Sequence, residues 1–189
     1  MISVILCAAG KGERAGFSEN KVLRELNGLP VLSYSLSAFS AVADEILVAC
    51  RAEDEARISA LLDPFPNAHT VIGGAFRTQS VYFALHEAKG DLVLVHDAAR
   101  PSVTKKIIDD CIACVRKYGS GVCALPATDT TVLVRDGRIV SVPARKDVFA
   151  VQTPQGFMRD DLLRAYDRAF EGEREEEFTD DSGVYAAYI

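Results

Sequence analysis

An α/β domain is expected, built on a doubly wound, mostly parallel sheet with a protruding β-hairpin arm, and three features of the sequence point to it. Short β-rich runs alternate with helical ones, the pattern of parallel strands covered by helices on both faces. The first apolar run leads straight into the glycine-rich stretch AAGKGERAG, as a buried strand ending at a ligand-side turn would. One segment, TTVLVRDGRIVSVP, breaks the alternation with two β-rich runs joined by Asp136-Gly137, a strong two-residue hairpin signal.

Taken in order, the expected strands are Ile2 to Ala8, Glu45 to Cys50, His69 to Gly73, Asp91 to His96, Gly121 to Leu125 and Val148 to Thr153. The expected helices are Val31 to Val42, Asp54 to Leu62, Thr78 to Lys89, Thr104 to Tyr118, Arg159 to Phe170 and Asp180 to Ile189. Thr78 and Gly90 frame one helix, Thr104 and Gly119 the next, as cap residues do. A hairpin inserted in a doubly wound domain cannot readily join the central sheet. The arm, about residues 128–146, is therefore expected along one edge or reaching to a second subunit in a homodimer. The acidic run EGEREEEF, Glu171 to Phe178, reads as a solvated loop between helices.

Composition bounds the function. With 189 residues, 49% hydrophobic and 25% charged, the chain reads as one ordinary globular domain. A chain of that length buries roughly 70% of its unfolded surface and needs no disulfide or metal staple. No apolar run approaches the roughly 20 residues of a spanning helix, and the opening MISVILCAAG lacks the basic n-region of a signal peptide. A net charge of −6 argues against bulk nucleic-acid binding. Five cysteines, Cys7, Cys50, Cys111, Cys114 and Cys123, are an odd count set in mostly apolar segments, the usage of a reduced, cytoplasmic protein. Cys111 and Cys114 have CxxC spacing but recur with Ile107 and Tyr118 at helical intervals, so a core helix face is expected rather than a zinc site.

The chemistry is expected at three places. Gly10, Gly12 and Gly16 follow the first strand, where exposed N–H groups can cradle phosphates, and Arg14 and Lys21 add two cations. A guanidinium fork and an ammonium point charge suit a polyphosphate whose charge shifts at phosphorus. The run LVLVHDAARP places His96, Asp97 and Arg100 where a strand should end, with Asp97 able to hold Mg²⁺ or substrate hydroxyls and His96 either a proton carrier or a neutral residue packed behind the site. The turn GGAFRTQSV, with Gly73, Gly74, Arg77, Thr78 and Ser80, could face a base or ribose. His69 and His86 carry no visible partner. Thr130, Arg145, Thr153, Gln155, Thr179 and Asp180 are polar groups near element ends to which spacing assigns no role.

The segments AAGKGERAG, NK, LNGLPVL, GGAFRTQSV, HDAARP and TPQGF, in this order, resemble the 2-C-methyl-D-erythritol 4-phosphate cytidylyltransferase family over nearly the whole chain. Ala8-Ala9-Gly10 and Ala98-Ala99 resemble that branch more than the sister ribitol 5-phosphate cytidylyltransferases. The resemblance implies a Rossmann-like nucleotidyltransferase sheet and a homodimer whose arm completes the neighbouring site. It implies cytidylyl transfer from CTP to a sugar-alcohol phosphate with Mg²⁺. By motif, Arg14 and Lys21 would bind the CTP phosphates and stabilise the transition state. Ala8, Ala9, Gly10, Gly12, Gly74, Arg77 and Ser80 would surround the nucleotide. Asp97 and Arg100 would lie near acceptor and metal, and Thr130 and Arg145 would hold the acceptor phosphate, Arg145 counting with the catalytic set.

The sequence also departs from that pattern. Where the family usually has Pro-Lys-Gln, this chain has Asn20-Lys21-Val22, and Ala15 replaces the usual Met; a looser loop is expected from both changes. The sequence stops at Ile189, in what reads as mid-helix and before the family's final Asp and lysine, so either those residues lie beyond it or the domain lacks that catalytic side chain. Two rival readings stay open. GxGxxxG spacing with Arg51 after the second strand suits a nicotinamide-dependent oxidoreductase, and the altered NKV segment suits a nucleotide-binding module without turnover.

Overall fold

The computed structural model describes residues 1–10, 19–172 and 178–189. β1 (Ile2–Cys7) lies between β4 (Glu45–Cys50) and β6 (Leu92–Asp97) and is parallel to both, while β5 (Ala68–Ile72) extends the parallel set on the β4 side. On the other side β10 (Phe149–Met158) runs antiparallel to β6 and to the edge strand β7 (Ser120–Pro126), giving the order β5-β4-β1-β6-β10-β7.

The apolar runs explain the layering, because alternate side chains of a strand point to opposite faces and here both faces are covered. Val4 and Leu6 of β1, with Ile46 and Val48 of β4, pack under α1 (Val31–Ser40), α2 (Glu55–Leu62) and α4 (Lys105–Tyr118). Ile5, Leu47, Val93 and Val95 face α3 (Arg77–Glu87), α5 (Arg159–Glu171) and α6 (Asp181–Tyr188) through Leu85, Leu162, Tyr166 and Val184.

Several boundaries differ from those expected. α3 starts at Arg77 with Phe76 as N-cap, so Thr78 sits buried in the first turn rather than capping it. Gly90 is required by close approach, not by a cap, since a Cβ there would lie 2.6 Å from Ser3 Oγ and 2.7 Å from Ser3 N. In α4 the caps hold: Thr104 accepts from Ile107 N at 3.4 Å and Gly119 has φ +85°. Its buried stripe, however, is Ile108, Cys111, Ile112 and Val115, whereas Ile107, Cys114 and Tyr118 are exposed. Both stripes have helical spacing. Packing under the sheet selects the one opposite the Lys105–Asp109 and Lys106–Asp110 ion pairs.

β10 continues past Thr153 to Met158, through a cis Thr153-Pro154 peptide, with a register shift against β7 between Val151 and Gln155. Proline cannot donate to the ladder, and the irregularity accommodates it. A small hairpin of β2 (Glu25–Leu26) and β3 (Leu29–Pro30) turns at Asn27-Gly28, with φ +52° and +80°, an Asn-Gly signal outside the expected elements. The arm is present as read: β8 (Leu133–Arg135) pairs with β9 (Arg138–Ser141) across Asp136 (φ +49°) and Gly137 (φ +72°), both left-handed as a type I′ turn requires. Because β7 runs in the direction of the parallel strands, the arm that follows it leaves from their carboxyl end.

Candidate active site

The parallel strands deliver their last residues to one edge. From β1 come Ala8, buried, then Ala9 and Gly10; Ala8 N donates to Ala49 O of β4 at 2.8 Å. A three-residue 3₁₀ turn, Lys21–Leu23, is held beside them by Asn20, whose Nδ2 donates to Ala8 O at 2.8 Å. Lys21 is exposed, while Val22 and Leu23 are buried in the core. Arg14 and Gly12 lie outside the described residues.

After β5, Gly73-Gly74 make the turn into α3. Ser80 Oγ donates to Phe76 O at 3.0 Å and accepts from Gly74 N at 3.1 Å, and Gln79 Oε1 accepts from Ala75 N at 2.9 Å. A Cβ at Gly74 would stand 2.4 Å from Gln79 Cβ, so the turn closes on α3 only with glycine.

At the end of β6, Asp97 sits between two guanidinium groups, Arg100 Nε at 2.9 Å and Arg77 Nε at 3.4 Å. Burial pushes its carboxyl up, but Arg77 and Arg100 together outweigh burial and hold it below the usual aspartate value. Arg77 also donates through Nη2 to Asp181 Oδ2 at 2.8 Å, and Asp181, fully buried at the start of α6, accepts from Tyr166 Oη at 2.7 Å. Burial works against the Arg77 charge, yet Asp181 keeps it firmly protonated. Arg77 Nη1 is buried with no hydrogen-bond partner among the described residues.

His96 lies beneath. Thr153 Oγ1 accepts from Asp97 N at 3.2 Å and so donates to His96 Nδ1 at 3.0 Å, which leaves Nε2–H to donate to Arg100 O at 3.2 Å. Burial lowers the imidazole to about 4, so it stays neutral at physiological pH, the packing role of the two that the sequence left open. Arg100 also donates to Gln152, tying β6 to the start of β10.

The strand-end edge thus brings together Ala8, Ala9, Gly10, Lys21, Gly74, Arg77, Ser80, Asp97 and Arg100. Thr130 and Arg145 stand apart on the arm, both exposed; Arg145 Nη1 donates to Thr128 O at 3.2 Å, and neither has a hydrogen bond or ion pair to Lys21, Asp97 or Arg100 among the described residues. Gln155 and Asp180 lock α6 instead: Ser182 N donates to Gln155 Oε1 at 2.8 Å, and Asp180 Oδ1 accepts from Gly183 N at 2.9 Å. Asp181, Tyr166 and Asp54 join this network without standing in any of the motifs above. A second acid directly after a capping Asp180 was the available sign of Asp181, whereas Tyr166 and Asp54 had none.

Arg51 is committed to Asp54, through Nε at 2.9 Å and Nη2 at 2.7 Å, and to Glu53, which removes the cation that a dinucleotide 2′-phosphate would need. No group of three or more His, Cys, Asp or Glu able to hold a metal ion occurs among the described residues, and none of their helices is long and apolar enough to cross a membrane.

Residues 2–187 match the family model described as IspD, 2-C-methyl-D-erythritol 4-phosphate cytidylyltransferase. The enzyme of that name from Bacillus mycoides is 38% identical over 172 residues, 88% of this chain and 76% of the relative. That of Clostridium botulinum is 35% identical over 194 residues, 98% of this chain and 84% of the relative. The crystal structure of 4-diphosphocytidyl-2C-methyl-D-erythritol synthase from Anaerococcus prevotii superimposes with TM-score 0.88 at 29% identity, covering 99% of this chain and 83% of that one. For the Thermus thermophilus 2-C-methyl-D-erythritol 4-phosphate cytidylyltransferase the TM-score is 0.79 at 32% identity, with 98% and 83% covered.

Proposed function

This chain belongs to the 2-C-methyl-D-erythritol 4-phosphate cytidylyltransferase family, and on that premise we propose how its own residues divide the work of cytidylyl transfer. It is a nucleotidyltransferase of the isoprenoid precursor route, and the oxidoreductase and ribitol phosphate readings are not favoured. An acceptor phosphate oxygen attacks the α-phosphorus of CTP in line. A new P–O bond forms as the bond to the bridging α–β oxygen breaks, and pyrophosphate leaves with that oxygen and its electron pair. A phosphate dianion needs no general base, so catalysis rests on positioning and charge stabilisation.

The observation that carries the assignment is that the Arg77–Asp97–Arg100 cluster stands at the carboxyl end of β6 and the turn bearing Lys21 is tied to the carboxyl end of β1, the edge where open α/β sheets take ligands. Ala8, Ala9, Gly10, Gly12, Gly74 and Ser80 surround cytosine and ribose, Ser80 by shaping the turn that presents Gly74. Arg14 and Lys21 take the triphosphate. Arg77 serves the nucleotide side by fixing Asp97, and Arg100 faces the acceptor. Asp97 would be the protein contact of a Mg²⁺ carried in with CTP, a group that would supply charge neutralisation on the phosphates.

Residues 1–189 act as one domain with its arm at about 128–146. The arm passes to a second copy of the chain, so that Thr130 and Arg145 hold the acceptor phosphate of the neighbouring site; the enzyme is then a cytoplasmic homodimer. The supporting feature is apolar exposure, since Leu133, Val134, Ile139 and Val140 are 55–64% exposed.

The test is pyrophosphate release from CTP and Mg²⁺ with methylerythritol 4-phosphate or ribitol 5-phosphate supplied separately. Release is expected with the first; release with ribitol phosphate alone would move the chain to the sister activity. Lys21→Ala should lower kcat by about 10²–10³, the cost of removing a preorganised donor at a developing oxyanion. Near-normal turnover would remove Lys21 from that role.

A further inference from the structure

A lysine on a three-residue 3₁₀ turn has no local structure to hold it, because so short a helix is set by its flanks. On one flank Val22 and Leu23 are buried in the core. On the other, Asn20, 1% exposed, spends its side chain on three hydrogen bonds: Nδ2 donates to Ala8 O at 2.8 Å and to Asp54 Oδ2 at 2.9 Å, and Oδ1 accepts from Val22 N at 3.2 Å. Asp54, 6% exposed, is paired in turn by the fork of Arg51. A continuous chain from Arg51 through Asp54 and Asn20 to Ala8 O therefore spans the carboxyl ends of β4 and β1, with Lys21 the next residue along.

Of the loop expected to be looser, residues 11–18 lie outside the described residues, and Asn20 at its end is held by these hydrogen bonds. Asn20 has φ −59°, the value a proline ring imposes. The resembling family usually sets this position with proline; here hydrogen bonds set it. We propose that Asn20 is a positioning residue for Lys21, braced by Asp54 and Arg51, and that it replaces a covalent constraint with a hydrogen-bonded one. The proposal rests on the phosphate-binding role of Lys21.

Displacements of about 1 Å at a reacting centre can cost up to about 10²-fold, so Asn20→Ala should lower kcat at least about tenfold while the KM for CTP changes by less than about threefold. Asn20→Pro decides the mechanism. It deletes the same three hydrogen bonds but restores the backbone angle, so its kcat should recover to within about threefold of the parent even though its Tm falls with that of Asn20→Ala. A merely structural Asn20 would lower both variants together. In a Lys21→Ala background, Asn20→Ala should change kcat by less than about twofold, because both act through one group.

Normal kcat in Asn20→Ala, equal loss in the Ala and Pro variants, or additive loss with Lys21→Ala would overturn the proposal. A silent Lys21→Ala would instead sink the role of Lys21 and this proposal with it, an outcome distinct from an impaired Lys21→Ala beside a normal Asn20→Ala. Should Asn20→Ala fail to fold, Asp54→Asn weakens the same brace at constant size. It should lower kcat by a smaller factor, and unchanged kcat there overturns the brace.

Discussion

The body of the sheet and the arm are built from similar β-rich sequence and end in opposite states. All six residues of β4 are buried, and so are four of six in β1. In the arm, every residue from Thr128 to Val142 is exposed, including Leu133, Val134, Ile139 and Val140. The body covers its apolar side chains with its own helices, whereas the arm has no helix of its own to do so. A two-stranded hairpin is marginal in water by itself. What stabilises the arm is therefore to be sought in the proposed second copy, while the strand-end cluster of the body is assembled within one chain.

The largest effect that would sharpen this contrast is a complementation. Lys21→Ala and Arg145→Ala proteins, each expected to be at least about 10²-fold impaired, should regain activity when mixed and allowed to exchange subunits. Each mixed dimer holds one site with an intact body and an intact arm, so about a quarter of all sites revive at equal mixing. No recovery would mean that arm and body serve the same chain's site.

A stability effect comes next. Arg77→Ala strips the fully buried Asp181 of its cation, and breaking such a pair costs about 3–5 kcal/mol, which urea unfolding would register. Ile139→Asp in the arm should leave the body's unfolding within about 0.5 kcal/mol of the parent while turning dimer into monomer in sedimentation. Equal losses from the two variants would erase the distinction.

The smallest effect is a pH slope belonging to the body. Unfolded His96 takes up a proton near 6.5, but the buried ring only near 4. Between those values the unfolded state binds more protons, so stability falls as pH falls through that window, by up to about 3 kcal/mol, and levels off below it. Asp97, held below its usual value, adds a loss at still lower pH as it protonates away from Arg77 and Arg100. His96→Gln should flatten the upper slope; an unchanged profile would mean that the ring is wetter than its packing against Phe39 implies.

Much of this was legible beforehand, and where it failed the reasons are physical. The strands came out within a few residues because buried parallel strands must be nearly continuous apolar runs, and the arm came out because Asp-Gly is suited to two successive left-handed residues. β10 outran its expected end because Pro154 reads as a stop, while the sheet tolerates it at an irregularity. The α4 stripe was misread because helical spacing marks a possible face without saying which face meets the sheet. In the site, HDAARP and GGAFRTQSV marked Asp97, Arg100 and Arg77 through their place at element ends. Asp181, Tyr166 and Asp54 stayed hidden because the hydrogen bonds that join them to Arg77, to one another and to Asn20 exist only once the chain has folded.

By itself, then, the sequence determined the elements, the family and the positions of the cations and carboxylate, since periodicity, turn chemistry and motif order are local properties of the chain. The tertiary structure alone decided that Arg77 joins Asp97 to Asp181, that His96 stays neutral, and that Asn20 is tied to Asp54. Those are contacts between residues 20 to 104 positions apart or consequences of burial, and desolvation and long-range pairing exist only once the chain has closed on itself.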